Sequence, residues 1–372
     1  MVLLNAIIKE YKAIDFSKKN ANELMYLYLN FEKKLLNEWK APLLNDFFAM
    51  IWFGMLQKKC KRYNISKNPN IHYDLLCGSS DIISTQPIHR SIALASEINK
   101  NEALKQLFVN NEPDFIWKKL LNDNHELTNK VKKYIDDFGE RCIGELKLES
   151  VSYTQDPAMF IAVLKSYVQS GITDEKTSSG IEERLRSAAE KELNDTLKFK
   201  PIKKWRLKLT LKKARELVSS RENLRYERTR AFGIVRELFS AMGRNFYYEG
   251  VIENERDIFY LTKEEIFCFI EGTSVTKNIR ELIALRKTEF AEYEKQTPPS
   301  ERFASYGIVY HANDFYSTGK LEKLEGDLKG IGCCPGRVKA KVRVVLNPKE
   351  INSLNGEILV TSSTDPGWVT LF

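Results

Sequence analysis

Through most of the first 300 residues, apolar side chains recur every three or four positions, and alternating runs are few. That is the period of an amphipathic helix. The pattern predicts helices over residues 22–37, 42–61, 88–98, 113–122, 125–138, 157–169, 181–197, 205–249 and 275–296. Several ends carry their own signals. Asn45 and Asp46 sit early in the second helix, and Asp156 stands just before Pro157, where its carboxylate can cap the first turn. Gly250 can adopt the left-handed backbone that ends the long helix. Residues 296–300 (QTPPS) interrupt the helical period, and residues 317–330 are polar and glycine-containing, which puts a domain boundary near residue 325. Beyond it the period changes: residues 337–346 (RVKAKVRVVL) alternate and residues 357–361 (EILVT) form a short apolar run, both reading as strands. The expected fold is mainly α, a large helical domain over 1–324 followed by the start of an α/β domain over 325–372. About 45 residues are too few for an ordinary independent core, and the apolar residues 368–372 carry no stop signal, so the chain is expected to be an interior fragment.

Composition adds exclusions. A hydrophobic share of 43% and a charged share of 29% describe an ordinary globular chain. The longest apolar run, residues 47–56 (FFAMIWFGML), falls well short of the roughly 18 residues a membrane span needs. The amino terminus has no basic leader, so a cytoplasmic protein with no membrane partner is expected. Six cysteines without a C-x-x-C pair give no zinc site, and no metal site is expected. The adjacent Cys333 and Cys334 read as small buried side chains. The 47–56 helix reads as hydrophobic core.

Charge is unevenly spread. The net charge is +8, and residues 198–230 hold 13 Lys or Arg against 3 Glu. Such a block can serve as a nucleic-acid footprint, a solvated face or a receiver of phosphate and carboxylate groups. At about 100° per residue, Leu217, Leu224, Ala231, Val235, Leu238, Met242 and Phe246 form one apolar stripe on the long helix. Arg221 and Arg228 fall inside this stripe and Arg225 at its edge. Buried guanidinium groups need anionic partners, for which Glu140, Glu145 and Glu222 are candidates, or else they serve a phosphoryl group through their planar donor fork. Lys203, Lys204, Arg206, Lys208, Lys212 and Lys213 read as a solvated face. No aromatic stacking pattern or known module supports nucleic acid as the partner.

Residues 330–372 (GIGCCPGRVKAKVRVVLNPKEINSLNGEILVTSSTDPGWVTLF) resemble the start of the swivelling phosphohistidine domain of the phosphoenolpyruvate-utilising enzymes. The turn Cys334, Pro335, Gly336, the valine-rich strand, the 356–360 strand and the loop Thr364, Asp365, Pro366, Gly367, Trp368 carry the likeness. Cys334 stands where serine is usual, Ala340 where glycine is usual, and Thr370 where proline is usual. Residues 39–56, 75–87, 137–157 and 221–233 extend the match to the helical central domain of the pyruvate, water dikinase-like enzymes, in the rifampicin phosphotransferase-like branch.

The resemblance implies a phosphotransferase in which a histidine, in a Gly-Gly-x-x-Ser/Thr-His segment, takes a phosphoryl group from ATP and swings to an acceptor. None of His72, His89, His125 and His311 stands in that context, so this chain alone is expected to be inactive and to supply acceptor binding. The catalytic histidine and the ATP-grasp domain would lie in segments missing here. No cofactor is expected on this chain, with ATP and Mg implied for the full-length enzyme. The resemblance also implies that Arg221 and Arg225 face the phosphorylation site, with Arg228 beside them. Phe47, Trp52 and Asp46 are the pocket candidates for a small-molecule acceptor, and Thr364, Asp365 and Trp368 build the loop under the histidine segment. Two rival readings are a non-catalytic binding or scaffold protein of the same family and, less favoured, a basic nucleic-acid-binding module.

Overall fold

The computed structural model describes residues 2–77, 83, 86–123, 126–171, 179–296, 305–308, 337–346, 354, 356–364 and 368. The described chain is mainly α. In order, the helices are α1 (Val2–Lys12), α2 (Ala21–Phe31), α3 (Lys40–Arg62), α4 (Ile71–Asp74), α5 (Gln86–Lys100), α6 (Glu102–Asn110), α7 (Pro113–Asn122), α8 (Glu126–Phe138), α9 (Pro157–Gln169), α10 (Ser179–Thr196), α11 (Pro201–Tyr248), α12 (Lys263–Ile270) and α13 (Ile279–Lys295). A short π-helical stretch, Glu32–Leu36, extends α2, and a 3-10 helix covers Glu255–Tyr260. The boundary expected near residue 325 lies outside the described residues.

α11 is the spine. Its 48 residues reach about 70 Å at 1.5 Å per residue, and three hydrophobic cores are strung along it. Near its start, Leu207, Leu211 and Ala214 join Leu56 and Cys60 of α3, Leu193 of α10 and Ile71 of α4. At mid-length Tyr226 enters the core made by α5 to α9, where Tyr134 and Phe160 stack at 3.9 Å between ring centroids. From Ala231 to Phe246 it meets α1, α2, α12 and α13. Two neighbouring aromatics, Phe239 and Phe267, pack edge-on against Tyr28 at 5.2 and 5.5 Å. The last third of α11 is covered nearly all round, and Gly243 allows it: a Cβ there would lie 2.2 Å from the Glu255 carbonyl oxygen.

β1 (Val342–Val344) and β2 (Ile358–Val360) pair in parallel, with Val342 opposite Ile358 and Val344 opposite Val360. Val345 and Trp368 are buried together, with Leu359 against them. Arg343 pairs with Glu357 at 3.1 Å.

The α3 segment corrects one expectation. Of residues 47–56, only Ala49 and Leu56 are buried, while Phe47, Phe48, Met50, Ile51 and Met55 are exposed. α3 is covered on one side, by α11 and, past Trp52, by α4, so it buries a narrow stripe and leaves its other apolar side chains uncovered. A continuous apolar run has no periodicity from which that stripe could be chosen.

Candidate functional site

α3 and α11 run antiparallel. Asn45 Nδ2 donates to the Leu217 carbonyl at 3.1 Å at one end, and Lys59 Nζ donates to Thr210 Oγ1 at 2.5 Å towards the other. This packing brings Asp46 to Arg221, whose Nε stands 3.7 Å from Asp46 Oδ1. That distance is an ion pair and too long for a hydrogen bond. Nε itself is buried without a hydrogen-bond partner, although the Arg221 side chain as a whole is about a third exposed. A guanidinium so placed keeps donor capacity for an added anion.

Arg225 and Arg228 follow at one and two turns, so the three guanidinium stems leave α11 on one face. Arg225 holds Glu222 at 3.2 Å on the surface. Arg228 is exposed and lines a cleft of about 420 Å³ with Tyr28, Leu36, Trp39, Leu148, Ala231, Phe232 and Val235. The walls of this cleft are apolar apart from Arg228 and the Tyr28 hydroxyl. Burial, with the neighbouring Glu32 carboxylate, pushes the Tyr28 phenol well above its ordinary range.

Of the three acidic candidates, Glu222 holds Arg225, and Glu140 and Glu145 are committed elsewhere. Glu140 accepts from Arg236 Nη1 at 2.6 Å and from Ser152 Oγ at 3.3 Å. Glu145 accepts from Arg141 at 3.0 Å and from the Thr229 hydroxyl at 2.9 Å. The fully buried arginine of α11 is therefore Arg236, not Arg221 or Arg228; its Nη2 also donates to the carbonyls of Glu145 and Lys147, at 2.7 and 3.1 Å. Gly233 makes room for this pair, since a Cβ would lie 2.4 Å from Glu140 Cγ. Arg236 escaped notice in the sequence because it lies off the apolar stripe, on a stretch of α11 covered from several sides. One more buried carboxylate, Glu227, has its pKa raised by burial against the pull of Arg230, which it binds at 2.8 Å.

The aromatic candidates do not converge. Phe47 is exposed and packs on Phe48, whereas Trp52 turns toward the core of α3, α4 and α10. Trp39, which the sequence reading did not single out, does reach the arginine-bearing face, in the Arg228 cleft. Thr364 is exposed and Trp368 buried, while Asp365 lies outside the described residues. His72 is buried against Phe53 and Tyr73, and desolvation lowers its pKa; His89 is exposed.

Residues 41–222 match the family described as the rifampicin phosphotransferase fourth domain. Over this stretch, a little under half of its length, the chain is similar to the rifampicin phosphotransferases. Similar proteins include the rifampicin phosphotransferases of Bacillus cereus, 27% identical over 256 residues, and of Bacillus subtilis, 29% identical over 252 residues. These alignments cover 66% and 65% of this chain and 28% of each relative, so the chain matches less than a third of their length. A prodigiosin synthesizing transferase, PigC of Serratia marcescens, is 22% identical over 372 residues, which is 98% of this chain and 41% of that protein. The rifampicin phosphotransferase-like match contains α3 from its second residue, Asp46 and Arg221, and ends three residues before Arg225.

Proposed function

We propose that this chain supplies the acceptor-binding helical domain of an ATP-dependent phosphotransferase that works through a phosphohistidine. The observation that carries the proposal is Arg221: within the region matching rifampicin phosphotransferases, it presents a buried Nε with no hydrogen-bond partner beside Asp46. A phosphoryl group in transfer spreads its charge over peripheral oxygens, and a guanidinium with free donor capacity stabilises that charge as it develops. Arg225, one turn on, adds a second cation to the same face. Asp46 keeps Arg221 oriented before an anion arrives and can accept from the hydroxyl of an acceptor. The acceptor is a small molecule with a broad apolar surface, for which the uncovered side chains of α3 and the Trp39 cleft provide contact area.

ATP and Mg²⁺ would be held by the nucleotide-binding part of the complete enzyme. The chain's own part is to bind the acceptor, orient its hydroxyl and balance charge at the incoming phosphoryl group. The test uses the complete phosphotransferase carrying Arg221→Ala with Arg225→Ala. Phosphorylation of the enzyme by ATP should persist while transfer to the acceptor falls about 100-fold or more. If both steps fall together, or neither does, the arginines are not the phosphoryl-receiving groups.

A further inference from the structure

α11 begins with a second apolar row that the fold does not use. Ile202, Trp205 and Leu209 are 71%, 65% and 45% exposed, and Phe199, in the turn before the helix, is 88% exposed. Their spacing of three and four residues puts Ile202, Trp205 and Leu209 on one face. The opposite face of the same turns is already packed, because Leu207, Thr210, Leu211 and Ala214 are buried against α3, α4 and α10. At about 100° per residue, Arg206 and Lys213 flank the exposed row on one side, and Lys208 and Lys212 on the other. From Lys198 to Arg215 the sequence holds no Asp or Glu. Lys213 pairs with Glu216 at 2.8 Å. Among the described residues, no carboxylate lies within 4.0 Å of the charged groups of Arg206, Lys208 or Lys212.

We propose that this start of α11 is a lipid-surface site that takes the anionic headgroups of a bilayer. An amphipathic helix lying in a membrane interface carries Trp and aliphatic side chains on one face and Lys or Arg along its borders. The apolar row enters the headgroup and acyl boundary while the flanking ammonium and guanidinium groups meet lipid phosphates. Charge complementarity selects an anionic surface, since the site is basic on both borders and its nearest acidic side chain on that face, Glu216, lies two turns past Leu209 and is paired with Lys213. Nucleic acid would use the cations and leave Ile202 and Leu209 without a role. The site needs no membrane-spanning helix, and none of the described helices is long and apolar enough to be one. It differs from the expectation of no membrane partner, which rested on the lack of a spanning run.

The experiment is co-flotation of the full chain with phosphatidylcholine vesicles, with and without phosphatidylglycerol, beside a duplex RNA binding assay. Binding is expected to the anionic vesicles only. Ile202→Ser with Trp205→Ser should abolish it. Lys208→Gln with Lys212→Gln should weaken it about 25-fold, at about fivefold for each basic side chain removed. All four side chains are exposed, so the thermal midpoint of each variant should match that of the parent. The proposal is overturned by failure to float with anionic vesicles, or by flotation that survives the Ile202 and Trp205 substitutions. Duplex RNA binding tighter than vesicle binding, and indifferent to those two substitutions, would also overturn it and assign the face to polyelectrolyte contact.

Discussion

Replacing Arg236 by methionine tests the buried centre of the fold. Arg236 is fully buried, with Nη1 on Glu140 at 2.6 Å and Nη2 on the carbonyls of Glu145 and Lys147. Methionine keeps most of the stem and removes every donor. Glu140, only 7% exposed, would then retain the Ser152 hydroxyl at 3.3 Å as its side-chain partner. Breaking one side of a buried pair costs about 3–5 kcal/mol, because the surviving charge is stranded in a poorly solvating site. The two carbonyls add to that loss, though not additively. About 4 kcal/mol is a large part of the roughly 5–15 kcal/mol by which a native domain is stable.

The double variant Arg236→Met with Glu140→Leu strands no charge. It should cost less than the sum of the two single changes, with a coupling above about 1 kcal/mol. Urea unfolding of the four proteins at a common m-value measures the cycle. A loss below about 1 kcal/mol for Arg236→Met, or strict additivity, would refute the view that this pair organises the contact between α11 and the segment after α8.

Two glycines in helix interiors should respond oppositely to alanine. Gly54→Ala in α3 meets nothing within 4 Å and should stabilise by about 1 kcal/mol through helix propensity, whereas Gly233→Ala drives a Cβ to 2.4 Å from Glu140 Cγ and should destabilise by about 1–3 kcal/mol. Thermal unfolding separates these signs, and a stabilising Gly233→Ala would contradict the close approach. Glu237 gives a pH prediction: burial first, then the charge of Glu140, raises its pKa above the ordinary carboxylate value. A raised carboxyl holds its proton more tightly folded than unfolded, so it favours folding below the unfolded pKa and loses that contribution as pH rises through the folded one. Glu237→Gln should therefore raise the thermal midpoint at pH 8 relative to the parent, with the advantage closing as pH falls through the carboxylate range; an advantage that grows in acid would reverse the sign.

What the sequence disclosed depended on how local the signal was. α7 and α9 appear at the expected residues, 113–122 and 157–169, because a proline opens each and, for α9, Asp156 caps the first turn. α6 and α12 lie outside the segments that the apolar period predicts, although each has a local start signal: Asn101 accepts from the Leu104 amide, and Thr262 with Glu265 forms a capping box. Both helices are short, and their apolar positions complete too few turns to establish a period. The arginine partners depended on distant segments. Glu140 and Arg236 are 96 residues apart, and only the packing of the loop after α8 onto α11 makes them neighbours. The placement of Asp46 beside Arg221 likewise comes from two helices meeting across 175 positions, for which the amphipathic pattern of either one gives no register.

On the proposed function, these placements separate stability from chemistry along one helix. Arg236 and Glu140 lie where α11 is covered from several sides, and their loss acts on folding. Arg221 lies where α11 is half covered, and its contact with Asp46 is a 3.7 Å ion pair with side chains 36% and 49% exposed. Solvent screening holds such a pair to about 1 kcal/mol or less, and the Arg225 pair with Glu222 lies within a single helix surface. Removing Arg221 and Arg225 should therefore leave the fold close to its original stability. A drop in acceptor phosphorylation in that variant is then attributable to the lost cations, and the same drop in an Arg236 variant would report unfolding.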